Sequence, residues 1–310
     1  MENTRAKTTR NSLILLLTAT IWGMAFVSQS KGMDYMHPFT FNGVRSLIGA
    51  AGILVYILIS RKIAGDKVAK LDWKLNVKAG LLCGIFLTIA STLQQFGIKY
   101  TSVGKAGFIT TLYIIFVPMF GIFLKKKVAP VVWAAAGMAA VGMYLLCMTE
   151  SLRLGAGDIM VFLCAIAFAI QIMTVDHYAA RIDGAVVSCI QFTVCGVVCC
   201  IGALIWGQPT FGQIQEGLGA LLYAGVLSCG VGYTLQIVGQ KGLNPTVAAL
   251  IMSLESVIAT ISGWIAYKIG FLSTDQTLTP RQIAGCVIVF AAVILVQLPP
   301  EWFYFGKKNA

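Results

Sequence analysis

The chain has 310 residues, of which 58% are hydrophobic and only 11% are charged. Soluble globular domains carry about 25% charged residues, so most of the surface of this protein has to face lipid rather than water. The composition excludes a soluble protein and predicts an integral membrane protein. The net charge of +11 does not indicate nucleic-acid binding, because the 23 Lys and Arg residues fall in short clusters between apolar runs.

Ten apolar runs follow one another along the chain, and each is long enough to cross a hydrocarbon core of about 30 Å. They cover residues 12–30, 39–60, 76–98, 104–124, 130–148, 155–175, 186–206, 216–239, 246–266 and 280–299. Prolines at 38, 130, 245 and 280 fall between the runs or at the first residue of a run, whereas Pro118 lies inside the fourth and predicts a kink there. The sequence therefore predicts an all-α integral membrane protein with ten transmembrane helices.

The distribution of basic residues predicts the orientation of these helices. If the N-terminus is cytoplasmic, 16 Lys and Arg residues lie on the cytoplasmic side and 6 lie outside. Cytoplasmic loops of membrane proteins carry the excess of Lys and Arg, so this orientation is favoured. We expect a multi-pass protein of the cell (inner) membrane whose terminal segments, 1–11 and 300–310, are both cytoplasmic.

The second half of the chain repeats the first. Thr92–Lys126 aligns without a gap onto Thr234–Lys268, with ten identical positions that include Gln94 with Gln236. Residues 12–150 and 151–299 are therefore predicted to be two five-helix repeats. Because five is odd, the second repeat enters the membrane from the opposite side, which is an architecture of transporters with a binding site near the midplane.

Four segments resemble the EamA-type family of the drug/metabolite transporter superfamily. They are Ala19-Thr20-Ile21-Trp22-Gly23, Gly43-Val44-Arg45-Ser46-Leu47, Tyr100-Thr101-Ser102-Val103-Gly104-Lys105-Ala106 and Ser253-Leu254-Glu255-Ser256-Val257. The resemblance covers residues 12–299 and implies ten helices in two inverted halves, with a cavity lined mainly by helices 1, 3, 4, 6, 8 and 9. It also implies movement of small metabolites, often outward. Ser256 stands where the family motif usually has proline, so no sharp kink is expected in helix nine.

Polar and aromatic side chains recur on the expected inner faces of these helices. The predicted substrate-binding set is Trp22, Phe26, Ser91, Gln95, Thr110, Tyr113, Phe168, Gln171, Tyr233, Gln236 and Glu255. Uncharged donors and acceptors beside aromatic rings would suit an amphipathic solute, such as an apolar or aromatic amino acid. The alternative is that the polar members only join helices, through hydrogen bonds of about 1 kcal/mol or less each.

Three charged residues need separate interpretations. Glu255 lies near the midplane, where it is either a site of proton uptake and release or a hydrogen-bonded structural group. Arg45 lies about 10 Å into helix two, and either pairs inward or extends to the surface, since helix two is not expected to line the cavity. Lys105 opens helix four, where it either attracts an anionic group or is an ordinary interfacial lysine.

The absence of other motifs limits the function. There is no G-x-x-x-x-G-K-[ST] motif, so ATP hydrolysis is not predicted. There is no H-E-x-x-H motif, and none of the nine cysteines forms a CxxC pair, so no metal site is predicted. No cofactor is predicted either. A channel or an intramembrane enzyme is disfavoured. We expect a monomeric secondary-active exporter of small metabolites, with a proton as the coupling ion. The rival is an antiporter of phosphorylated sugars or nucleotide sugars, for which Arg45 and Lys105 are the candidate cavity cations.

Overall fold

The computed structural model describes residues 2–64, 71–124, 130–147, 155–273 and 275–297, and all regular structure in these residues is helical. The main helices are α1 (Glu2–Gly32), α2 (Pro38–Ala64), α3 (Trp73–Ile98), α4 (Val103–Phe123), α5 (Pro130–Cys147), α6 (Ala156–Tyr178), α7 (Gly184–Gly207), α8 (Leu218–Gln240), α9 (Pro245–Lys268) and α10 (Pro280–Gln297). A short helix, Phe211–Glu216, precedes α8.

Eight of these helices, all except α5 and α10, are long and apolar enough to cross a membrane. The shorter apolar helices α5 and α10 correspond to the fifth and tenth predicted spans. The predicted all-helical membrane fold is therefore confirmed. The ends of the two shorter predicted spans, the boundary between 150 and 151, and the segment 300–310 lie outside the described residues.

Local sequence explains where the helices begin. Helices α2, α5, α9 and α10 each start at a proline, whose missing N–H costs nothing in the first turn. Other helices begin at a side chain that accepts a hydrogen bond from a free backbone N–H. Asp72 accepts from the Leu75 N–H before α3, and Ser102 accepts from the Lys105 N–H before α4.

The packing of the helices follows the internal repeat. Helices α2 and α7 are repeat mates and pack against each other, as do α5 and α10. The contact of α3 with α6 is matched by that of α8 with α1, and the contact of α1 with α9 is matched by that of α6 with α4. Helix pairs that the repeat relates therefore pack alike, which supports the two-fold relation between the halves.

Two repeat-related helices are interrupted at their centres. Helix α4 is interrupted at Leu112, with Pro118 inside its second part, and α9 is interrupted at Ser253. In the alignment of the repeats, Leu112 corresponds to Leu254, so the two interruptions lie one residue apart. The hydroxyl groups of Ser253 and Ser256 donate to the carbonyls of Leu250 and Ser253, at 2.7 and 2.8 Å. Ser253 keeps helical dihedral angles, so α9 is interrupted without the proline of the family motif.

Helix α8 contains a π-helical stretch, Tyr223–Gly232, where it passes α2. A Cβ atom at Gly49 of α2 would lie 2.7 Å from the Cβ atom of Cys229 and 2.8 Å from the carbonyl oxygen of Gly225. Only glycine permits so close an approach. Stretches of π-helix often occur at functional sites, and α2 packs closely against this one.

Candidate functional site

A cavity of about 30 Å³ lies at the centre of the bundle, which is smaller than the usual small-molecule site. It is bounded by α1–α4 and α6–α9. Its lining residues are Trp22, Phe26, Gln29, Asn42, Arg45, Leu87, Ser91, Gln94, Thr110, Tyr113, Phe168, Gln171, Ile172, Phe192, Ser228, Cys229, Tyr233, Gln236 and Glu255. The six helices expected from the family resemblance all contribute, and α2 and α7 contribute as well.

Ten of the eleven side chains predicted to bind substrate lie around this cavity, and Gln95 does not. The Nε2 atom of Gln95 instead donates to the backbone carbonyl of Gln29 at 3.2 Å, joining α3 to α1. The neighbouring Gln94 lines the cavity, and its Nε2 atom donates to Thr110 Oγ1 at 3.1 Å. The repeat contained this signal, because Gln94 is identical to its repeat mate Gln236, whereas Gln95 aligns with Ile237.

Aromatic rings form one wall of the cavity. The rings of Trp22 and Tyr233 have centroids 4.5 Å apart, and Phe192 meets Tyr233 edge to face at 5.0 Å. Trp22 Nε1 lies 3.4 Å from the carbonyl oxygen of Ser228, in the π-helical stretch, and donates to it. These contacts fix the orientation of the rings, so the wall offers a preformed surface to an apolar or aromatic group.

Glu255 is the acidic side chain of the cavity and is only 4% exposed. Its Oε1 atom accepts a hydrogen bond of 2.9 Å from the hydroxyl of Tyr113. Tyr113 is the repeat mate of Glu255, so this bond joins equivalent positions of α4 and α9. Within the described part of the chain, no Lys, Arg or His lies within 4.0 Å of the carboxyl group. A lone carboxyl group in this environment suits proton binding.

Arg45 is the basic side chain of the cavity and is 5% exposed. Its Nε atom donates to Asn42 Oδ1 at 3.0 Å, and the guanidinium group lies 5.5 Å from the centre of the Phe41 ring. Of the two interpretations of Arg45, the one in which it extends to the membrane surface, from a helix outside the cavity, is therefore wrong. The close approach of α2 to α8 at Gly49 places this part of α2 against the cavity.

Comparison with known proteins identifies the family. A sequence profile of the EamA-like transporter family matches residues 10–148 and, a second time, residues 155–298. The chain belongs to the EamA-like transporter family. The resemblance seen in the four sequence segments is thereby confirmed, and the protein is a multi-pass membrane transporter.

Relatives of this EamA protein extend over nearly its whole length. An uncharacterized transporter of Archaeoglobus fulgidus is 28% identical over 92% of this chain and 84% of its own. The uncharacterized transporter YwfM of Bacillus subtilis is 24% identical over 94% of both chains. A solved crystal structure that is 17% identical superimposes with a TM-score of 0.71, over 93% of this chain and 96% of its own. The structural likeness supports the fold alone.

Two polar clusters join the helices around the cavity of this EamA protein. Asn42 Nδ2 donates to Ser91 Oγ at 3.0 Å and lies 3.3 Å from Cys199 Sγ, which links α2, α3 and α7. The amides of Gln171 and Gln236 exchange two hydrogen bonds between α6 and α8, at 3.5 and 3.2 Å. Polar groups of the cavity wall therefore also join the helices that form it.

Lys105 lies away from the cavity of this EamA protein. Its Nζ atom donates to Asp158 Oδ2 at 2.6 Å, so the ion pair joins the first turn of α4 to the first turn of α6. Asp158 also accepts from the Thr101 hydroxyl at 3.0 Å and from the Gly155 N–H at 2.9 Å. Since Asp158 is only 4% exposed, the pair is a structural contact between the two repeats.

Proposed function

We propose that the protein is a secondary-active transporter of small amino-acid-like or amphipathic metabolites, which works by alternating access around the central cavity. The observation that carries this proposal is the composition of the cavity wall. Repeat-related helices supply amide and hydroxyl groups next to preoriented aromatic rings. The wall can hydrogen-bond the polar end of a solute while its rings cover the apolar end.

The rival substrates, phosphorylated sugars and nucleotide sugars, fit this wall less well. A phosphate monoester carries nearly two negative charges, so it favours a site with several cations. Among the described residues, Arg45 is the one Lys or Arg that lines the cavity, because the ammonium group of Lys105 is held by Asp158. We therefore favour solutes of lower charge.

The proposal also specifies the coupling ion, the direction of transport and the orientation of the protein in the membrane. Glu255 takes up and releases the coupling proton, because its carboxyl group lies in the cavity wall without a cationic partner among the described residues. The direction is export from the cell, and the protein acts as a monomer in the cytoplasmic membrane.

The proposed orientation, with both termini in the cytoplasm, predicts the result of cysteine labelling. In a variant without native cysteines, Asp275→Cys should react with an impermeant maleimide added to intact cells, since the loop before α10 faces outward. A cysteine at Lys70 should react only after the membrane is opened, because it lies among the predicted cytoplasmic basic residues. Labelling of position 70 in intact cells would reverse the orientation.

The central cavity predicts the effect of truncating its walls. We expect Trp22→Ala, Tyr113→Ala and Gln236→Ala to raise the half-saturating substrate concentration about tenfold, because a lost buried ring contact or a lost hydrogen bond to the solute is worth about 1.4 kcal/mol. The measurement is a screen for metabolite uptake and efflux in vesicles with purified protein, followed by concentration series on the substrates found.

Phe123→Ala is the matched control, because Phe123 lies on α4, outside the cavity wall, with 80% of its side chain exposed toward lipid. It should keep wild-type flux. Normal flux in all three cavity variants would place the binding site elsewhere, and a screen that finds no transported metabolite would count against the proposed function itself.

A further inference from the structure

Arg45 carries a charge that no described side chain neutralises. The two ion pairs of the described residues are Lys31 with Asp34 and Lys105 with Asp158, and neither includes Arg45. A guanidinium group stays protonated in proteins, and a buried charge without a partner is strongly unfavourable. An anion brought by the transported solute would supply the missing charge.

The contacts of Arg45 hold its guanidinium group in one orientation. Its Nε atom is bound to Asn42 Oδ1, and Asn42 is fixed in turn by its hydrogen bond to Ser91. The two terminal nitrogens have no hydrogen-bond partner among the described residues, and the side chain lines the cavity. A fixed guanidinium group with two free nitrogens matches the two oxygens of a carboxylate.

Other groups near Arg45 do not replace such a ligand. The carboxyl group of Glu255 is bound to Tyr113 and lies beyond the 4.0 Å limit of an ion pair with Arg45. Cys195 Sγ accepts from the Ser46 hydroxyl at 3.4 Å and lies 3.4 Å from Ser91 Oγ, contacts that are typical of a cysteine packed in a helical interface. The N–H donors of the two terminal guanidinium nitrogens therefore remain available to a solute.

We propose that Arg45 binds the carboxylate group of the transported solute, so that the substrates are monocarboxylates, amino acids included. This inference rests on the proposed function, because it assigns the polar end of the substrate to one side of the same cavity. One guanidinium group balances one carboxylate, whereas a phosphate dianion would stay half compensated. Amines that lack a carboxylate have no group for Arg45 to bind.

Thermal unfolding of the purified full-length protein tests the chemical class. Four pools serve as probes: soluble amino acids, the amines formed by their decarboxylation, the matching carboxylic acids without the amino group, and sugar phosphates. We expect one or both carboxylate pools to raise the unfolding temperature, and neither the amines nor the sugar phosphates to do so. Stabilisation by the amines, or by none of the pools, would overturn the assignment.

Variants of the subsite test the residue. Arg45→Gln should weaken binding of the stabilising pool at least tenfold, whereas Arg281→Gln should not, because Arg281 lies over the Tyr144 ring outside the cavity. Asn42→Asp places a carboxylate beside Arg45 within the protein itself. It should raise the unfolding temperature of the empty protein and weaken binding of the added carboxylates, also at least tenfold.

If Arg45→Gln does not fold, Asn42→Asp alone tests whether Arg45 binds the carboxylate. Wild-type affinity in Asn42→Asp, or in a folded Arg45→Gln, would overturn the role of Arg45 in binding. The failure of this inference is distinguishable from failure of the proposed function. Transport of a solute without a carboxylate in the vesicle screen would remove the carboxylate subsite and leave a metabolite transporter.

Discussion

Glu255→Gln is expected to abolish substrate accumulation driven by a pH gradient while substrate exchange continues. Glutamine keeps a carbonyl oxygen for the Tyr113 hydroxyl, which now donates to Oε1 of Glu255. It imitates the protonated acid but cannot release a proton. The loss should therefore be confined to the coupled reaction, with the cavity and its hydrogen bonds intact.

The measurement is substrate flux into vesicles at a fixed membrane potential, with a pH difference of zero or one unit. One proton moving down one pH unit supplies about 1.4 kcal/mol, which supports up to about tenfold accumulation in wild type. Glu255→Gln should show none. Glu216→Gln is the matched control, because Glu216 is exposed in the short helix before α8.

Two results would contradict this role for Glu255. If wild-type flux is the same with and without the pH gradient, transport is not coupled to protons, and exchange or facilitated diffusion remains. Normal gradient-driven accumulation in Glu255→Gln, together with a less stable Glu255→Ala, would make the carboxyl group structural, because alanine leaves Tyr113 without its acceptor.

Gly23→Ala is expected to destabilise the protein and to lower its transport rate. A Cβ atom at Gly23 would lie 2.6 Å from the Cβ atom of Ile258 and 2.7 Å from the backbone oxygen of Glu255. Neither atom can move without the backbone of α9, so the helix that carries Glu255 has to shift. Inserting a methyl group into such a contact typically costs about 1–3 kcal/mol.

Gly52→Ala on α2 is the matched control, because a Cβ atom there meets nothing within 4 Å. Alanine should be neutral or should stabilise α2 by up to about 1 kcal/mol, since glycine is the poorer helix former. Thermal unfolding and flux of the two variants provide the comparison. An unchanged unfolding temperature and flux in Gly23→Ala would show that α1 and α9 separate easily at this point.

The sequence predicted the helices and most of the cavity wall for one physical reason. A polar side chain inside a long apolar run is costly unless it faces other protein groups, so such residues mark the inner faces. Seven of the eight polar side chains predicted to bind substrate lie around the cavity on this basis, and the predicted aromatic residues Trp22, Phe26 and Phe168 lie beside them. Whether they bind substrate is a separate question, which the cavity variants address.

The same reasoning fails where helical phase or distant contacts decide the position of a side chain. Gln94 and Gln95 are adjacent in a helix that is apolar on every side, so hydrophobic periodicity alone does not choose between them. The position of Arg45 depends on the close approach of α2 to α8, whose contacting residues are far apart in the chain. The partner of Lys105 is Asp158, 53 residues away.

The ion pair of Lys105 with Asp158 has a mechanical consequence. It lies at the end of the bundle where α3 finishes and α4 and α6 begin, and a Cβ atom at Gly157 of α6 would lie 2.9 Å from the carbonyl oxygen of Gly97 in α3. Pulling these helices apart would leave a buried carboxylate without its cation. We expect this corner to move as one rigid block that spans both repeats, so that the cavity opens at this end by displacement of the other helices.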